Sequence, residues 1–153
     1  MIKKSLLINF ASKSYFYNIF ENEVINEKIA KDSFINKLKE KCLGFPPVFD
    51  LTLLGLGDDG HTASLFPYNK QNNNNDLAIY SYGNGLKRIS LTPKIISASS
   101  KIIFIVSGSS KQLALKRLID ANESEERTPA KLINSDSEIF IFCDLDATKE
   151  LYI

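Results

Sequence analysis

Val48 to Leu54 is a nearly continuous apolar run, broken by Asp50 and Thr52, that ends directly on the glycine-rich stretch Gly55-Leu56-Gly57-Asp58-Asp59-Gly60-His61. So apolar a run suits a strand covered on both faces, as in a parallel sheet, and parallel strands need crossover connections. The rest of the chain supplies them. From Glu27 to Cys42 the apolar residues Ile29, Phe34, Ile35, Leu38 and Cys42 recur at helical spacing, and Gly44, Pro46 and Pro47 supply the stop. Further strands are expected at Arg88 to Leu91, Lys101 to Val106 and Glu138 to Cys143. A helix is expected from Lys111 to about Ala121, on the spacing of Leu113, Leu115, Leu118 and Ile119, and a terminal helix from Asp146 to Tyr152. This alternation predicts an α/β fold with a mainly parallel, doubly wound, Rossmann-like sheet and right-handed crossovers. Ser5 to Phe10 is compatible with a helix and Tyr15 to Phe20 with a strand. The tract Gln71 to Asp76, with four consecutive asparagines, reads as a surface loop.

Length and composition fit a single domain. The chain has 153 residues, 44% of them hydrophobic, enough for one core. A formal charge of +1 provides no overall field for nucleic acid or an anionic membrane, so an anionic ligand must be held locally. Cys42 and Cys143 match no metal spacing and suit a reduced, cytoplasmic setting better than a disulfide. The apolar run after Lys3 and Lys4 is too short for a signal peptide, and nothing approaches the roughly 20 apolar residues that span a bilayer.

A glycine-rich turn after a buried strand lies where open α/β sheets bind ligands. Glycines there permit positive φ and close backbone approach, and exposed amides can hold an anion or a developing oxyanion. The turn also carries His61, the only histidine in the chain. An imidazole exchanges protons near neutral pH, and a neighbouring carboxylate, Asp58 or Asp59, can fix its tautomer. The other reading of the same residues is structural, with His61 capping the next segment and the aspartates satisfying turn amides.

The stretch Asp50-Leu51-x-Leu53-Leu54-Gly55-x-Gly57-x-Asp59-Gly60-His61-Thr62-Ala63-Ser64-Leu65-Phe66-Pro67 resembles the signature of the 6-phosphogluconolactonase family. The resemblance continues through Arg88 to Thr92, Ile103 to Lys111, Pro129-Ala130 and Ile141 to Leu151. It implies hydrolysis of 6-phosphoglucono-lactone to 6-phosphogluconate, with a phosphorylated sugar lactone as ligand and neither metal nor organic cofactor. It further implies that His61 is the general base that activates water and that Asp59 orients it. Gly57 and Gly60 are expected to line the substrate, and Lys111 and Arg88 to bind it. Lys111 follows Ser107-Gly108 at a strand-to-helix turn, which suits a phosphate or carboxylate. Ser64 lacks a nucleophile elbow and is assigned a capping role.

The chain departs from the family in one respect. A Ser-Gly-Gly phosphate loop and an Asp-Glu-Arg motif, which precede this region in the family, are not found, and no arginine occurs before Arg88. The expectation is therefore an N-terminally truncated, incomplete domain with exposed apolar surface, which associates with itself or with a missing N-terminal half. An inactive fragment, a subunit of a split enzyme and a non-catalytic sugar-phosphate-binding module remain as alternatives. The family of glucosamine-6-phosphate deaminase shares the glycine, aspartate, glycine, histidine turn, but its continuation differs from Thr62-Ala63-Ser64-Leu65-Phe66-Pro67.

Overall fold

In the computed structural model, residues 26–69 and 76–151, together with Tyr15 and Tyr17, are described. The strand Ile102–Val106 (β4) lies between Thr52–Gly55 (β1) and Ile139–Cys143 (β5), and all three run parallel in the order β1-β4-β5. Leu54, Phe104 and Ile141 stand side by side across the three strands. With Ile102 and Val106 they form one face of the sheet. On that face pack helix Pro93–Ser97 (α2), helix Gln112–Ile119 (α3), the 3-10 turn Pro129–Leu132 and the short helix Leu145–Thr148 (α4), through Ile96, Ala114, Leu115, Ala130 and Ala147. Burial of these apolar side chains is the main stabilising term of the core.

The opposite face carries Leu53, Ile103, Ile105, Phe140 and Phe142, brought into adjacent positions by the same register. Leu53, Ile105 and Phe142 are 59%, 53% and 59% exposed. A parallel sheet is ordinarily covered on both faces. Among the described residues this one is covered on one.

The helix Glu27–Lys41 (α1) begins where the sequence predicts, with Asn26 as N-cap, its side chain accepting from the Lys28 N–H at 2.9 Å. The strand predicted from Val48 starts only at Thr52 and includes Gly55. Residues 44–47 are taken up in a turn, and the Val48 N–H donates back to the Leu43 carbonyl. The strand at Leu86–Leu91 (β3) exists but is not part of the parallel sheet. It pairs antiparallel with Ala78–Gly83 (β2) in a separate hairpin. Asn84 and Gly85 close it with φ of +53° and +75°, the two positive values that a twisted two-residue hairpin turn demands. That Asn-Gly pair was the signal for β2, just as Thr92 followed by Pro93 was the signal for α2.

The helix predicted from Lys111 opens as a 3-10 turn, Ser109–Lys111, before α3. The terminal helix is shorter than predicted and is followed by the 3-10 turn Lys149–Leu151. Asp144 caps it, two residues before the expected start. The expected elements at residues 5–10 and 15–20, the asparagine tract and Tyr152 lie outside the described residues, apart from Tyr15, Tyr17 and Asp76.

Asp144 ties the ends of β4 and β5 together. Its carboxylate accepts from the Ser107 hydroxyl at 2.6 Å, the Gly108 N–H at 3.0 Å and the Ala147 N–H at 2.8 Å. The Ser107 bond, then those two amides, hold the carboxyl below the usual carboxylate range.

Two outcomes are expected. Phe104 is 1% exposed at the centre of the sheet, so Phe104→Ala should cost about 3–5 kcal/mol in urea unfolding. Because the Asp144 pKa is depressed on folding, its contribution is complete above about pH 4 and is lost as pH falls through the lowered value. Asp144→Ala should therefore lower the Tm at neutral pH, with the gap from wild type closing in strong acid.

Candidate active site

The turn after β1 is built around its glycines. The Gly57 N–H donates to the His61 carbonyl at 2.7 Å and the Gly60 N–H to the Gly57 carbonyl at 3.0 Å. The Thr62 hydroxyl donates to the Gly55 carbonyl at 2.7 Å, fixing the loop to the strand end. Gly60 has φ of +91°, and a Cβ there would press on Thr128; its carbonyl accepts from the Ala130 N–H at 3.1 Å. A Cβ on Gly57 would collide with the His61 ring and the Asp59 carboxylate. Gly57 is thus required by close approach and Gly60 by backbone conformation.

Within this turn Asp59 accepts twice from His61, at 3.0 Å from its main-chain N–H and at 2.6 Å from ring Nδ1. Partial burial raises the Asp59 carboxyl, but the main-chain bond, the ring bond and the ring's charge together outweigh it and hold the carboxyl below its ordinary value. An ionised carboxylate only accepts, so Nδ1 carries the proton and Nε2 is the basic nitrogen of the neutral ring. The Phe66 ring lies against the imidazole, with centroids 4.7 Å apart.

His61 lines an open cleft of about 320 Å³ with Gly55, Leu56, Gly57, Asp58, Ala63 and Lys111. The turns after β1 and β4 therefore bring a histidine and a lysine to one opening. Among the described residues the Lys111 ammonium has neither hydrogen bond nor ion pair. The amide of Gly108 in the same turn is engaged by Asp144, and the Lys111 N–H donates to the Gly108 carbonyl at 3.1 Å. The Gly108 and Lys111 amides are thus already engaged, whereas the Lys111 side chain is not.

Of the residues singled out in the sequence, His61, Gly57 and Lys111 face this cleft, and Asp59 stands beside His61 as its partner. Gly60 and Arg88 are not among its lining residues. Gly60 acts in the backbone of the loop, and the Arg88 guanidinium carbon stands 5.6 Å from the Phe66 ring centroid. Residues 61–66 form a turn closed by a bridge between Thr62 and Leu65. The Ser64 N–H donates to the Ser90 hydroxyl at 3.2 Å. The amides of Gly57, Gly60 and His61 all donate within the loop, which removes them from the donors expected for an oxyanion. The Phe66 contact and the Asp144 clamp were missed in the sequence. Asp144 had a signal, an N-cap residue just before Leu145; the Phe66 contact had none beyond its place in the motif.

The chain also resembles known proteins in sequence and in fold. The profile of a family described as glucosamine-6-phosphate isomerases/6-phosphogluconolactonase matches residues 1–141. A 6-phosphogluconolactonase from Synechocystis is 39% identical over 110 residues, covering 71% of this chain and 45% of that protein. One from Bos taurus is 32% identical over 148 residues, covering 88% and 57% respectively. The chain thus spans about half the length of these relatives. The crystal structure of a 6-phosphogluconolactonase from Shewanella baltica superposes with a TM-score of 0.77 over 93% of this chain and 62% of that one, at 23% identity, and so supports the fold. With a profile match over most of its length and the motif residues gathered at one cleft, the chain belongs to the glucosamine-6-phosphate isomerase/6-phosphogluconolactonase family.

Proposed function

We propose that the protein hydrolyses 6-phosphoglucono-lactone to 6-phosphogluconate. The observation that carries this reading is the Asp59–His61 pair opening on a cleft that it shares with the unpaired ammonium of Lys111. Within the family, the continuation Thr62-Ala63-Ser64-Leu65-Phe66-Pro67 favours the lactonase over the deaminase. On this reading Nε2 of His61 takes a proton from a water molecule as its oxygen bonds to the lactone carbonyl carbon. The carbonyl electron pair moves onto oxygen, forming a tetrahedral oxyanion. Collapse of that intermediate breaks the bond to the ring oxygen, which takes the proton from the imidazolium and leaves as the hydroxyl of the product acid. Asp59 keeps the proton on Nδ1 and stabilises the transient imidazolium, as a carboxylate does in other histidine-based hydrolases. The route uses no metal or organic cofactor.

Lys111 is assigned to the phosphate or to the developing carboxylate, as a point charge beside the cleft. Gly57 contributes its main chain to the cleft wall, and Gly60 the turn that holds it. Arg88, whose guanidinium carbon stands 5.6 Å from the Phe66 ring centroid, is assigned as a second cation for the substrate. A cytoplasmic setting suits the free thiols of Cys42 and Cys143, and no helix among the described residues is long and apolar enough to cross a membrane.

The uncovered sheet face favours a second reading, in which the chain works as one part of an assembly. Leu53, Ile105 and Phe142 would be covered by a polypeptide that lays apolar helices across them and adds a strand beside β1, which among the described residues pairs only with β4.

The assay is hydrolysis of freshly generated lactone, with the spontaneous rate subtracted. His61→Ala should lower the enzymatic rate by about 10²–10⁴-fold, and Lys111→Gln should raise KM more than it lowers kcat. A folded wild-type chain with no activity above background would overturn the lactonase reading for the chain by itself. For the second reading, sedimentation should show self-association or aggregation that Ile105→Lys reduces. A monodisperse, cooperatively melting monomer, unchanged by that substitution, would count against it.

A further inference from the structure

His61 is confined on one edge and one face. The edge carries the Asp59 bond and the bare Cα of Gly57. The face is covered by Phe66, tilted 35° to the imidazole. Phe66 is itself only 6% exposed and is seated from behind. A Cβ on Gly83 would run into Cδ2, Cε2 and Cζ of its ring, so that a glycine at the end of β2 is what leaves space for the phenyl group. Arg88 of β3 stands over the same ring. Two hydrogen bonds fasten the hairpin to the same segment. The Asn69 side-chain amide donates to the Tyr82 carbonyl at 2.8 Å, and the Ser64 N–H donates to the Ser90 hydroxyl.

A single hydrogen bond at Nδ1 leaves an imidazole free to pivot about that bond. A ring packed on its face removes that freedom, and aromatic pairs hold such offset or tilted arrangements. We infer that Phe66 is a positioning residue for His61, and that the β2–β3 hairpin sets the orientation of the imidazole through it. The hairpin lies outside the parallel sheet, yet it reaches the proposed base by way of Gly83, Arg88 and one phenyl ring. The inference deepens the lactonase reading, and only its kinetic part rests on that reading.

Because His61 is the only histidine, its carbon-bound ring protons report on it by NMR without overlap from another imidazole. Phe66→Leu is expected to remove the ring-current shift of those signals and to lower kcat by about ten- to a hundredfold with little change in KM. Gly83→Ala, whose new methyl group meets Phe66 and not His61, should move the same signals and lower kcat in the same direction. In the Phe66→Leu background, Gly83→Ala should have almost no further effect, as coupled sites require. Circular dichroism establishes that each variant is folded, and Gly83→Ala decides alone if Phe66→Leu is not. Unmoved His61 signals in folded variants would overturn the inference, as would additive effects in the double variant. Should the wild-type chain lack lactonase activity, moved signals would still uphold the positioning role while the proposed reaction falls.

Discussion

The parallel pairing of β4 with both of its neighbours is the constraint on which the rest of the structure depends. It places Leu54, Phe104 and Ile141 in one row, so a single buried face serves all three strands. It also aligns their carboxyl ends, so the turn after β1 and the turn after β4 open on the same cleft. Asp144, at the end of β5, then fixes the β4 turn through Ser107 and Gly108. His61 and Lys111 lie fifty residues apart in sequence and meet because two strands share a ladder.

The chemistry of the site follows from a local feature and a remote one. Locally, Asp59 and His61 are two residues apart in a turn whose glycines allow the carboxylate to reach both the main-chain N–H and Nδ1 of the same histidine. That double contact keeps Asp59 ionised and so assigns the Nδ1 proton. Remotely, Phe66 covers the ring and is itself fitted against Gly83. Both glycines are needed for space: at Gly57 and at Gly83 a side chain would occupy the volume of the aromatic ring that the site requires. A side chain at Gly57 in the loop, or at Gly83 at the end of β2, would therefore displace the ring it faces.

The sheet has one face that burial explains and one that it does not. Leu53, Ile105 and Phe142 are apolar, as residues of strands covered on both faces are, yet among the described residues only the opposite face of the sheet is covered. The exposed row is apolar, and among the described residues nothing lies across it.

Legible in the residues alone were the α/β class, a helix from Glu27 to Cys42, the strands at the core and the identity of the Asp59–His61 turn. Each of these rests on periodicity, on capping or on residues adjacent in the chain. Sequence alone placed the strand at Arg88 to Leu91 in the parallel sheet, because so short a strand looks the same in either kind of pairing; the structure pairs it antiparallel with β2, across a turn at Asn84-Gly85 that the sequence reading passed over. Tertiary structure alone decided that Lys111 shares the cleft of His61 while Gly60 and Arg88 do not line it, that Gly108 is spent on Asp144, and that Phe66 lies on the imidazole. Those are contacts between residues distant in sequence or set by side-chain direction, and spacing along a chain carries no information about which surfaces the packing of a sheet brings together.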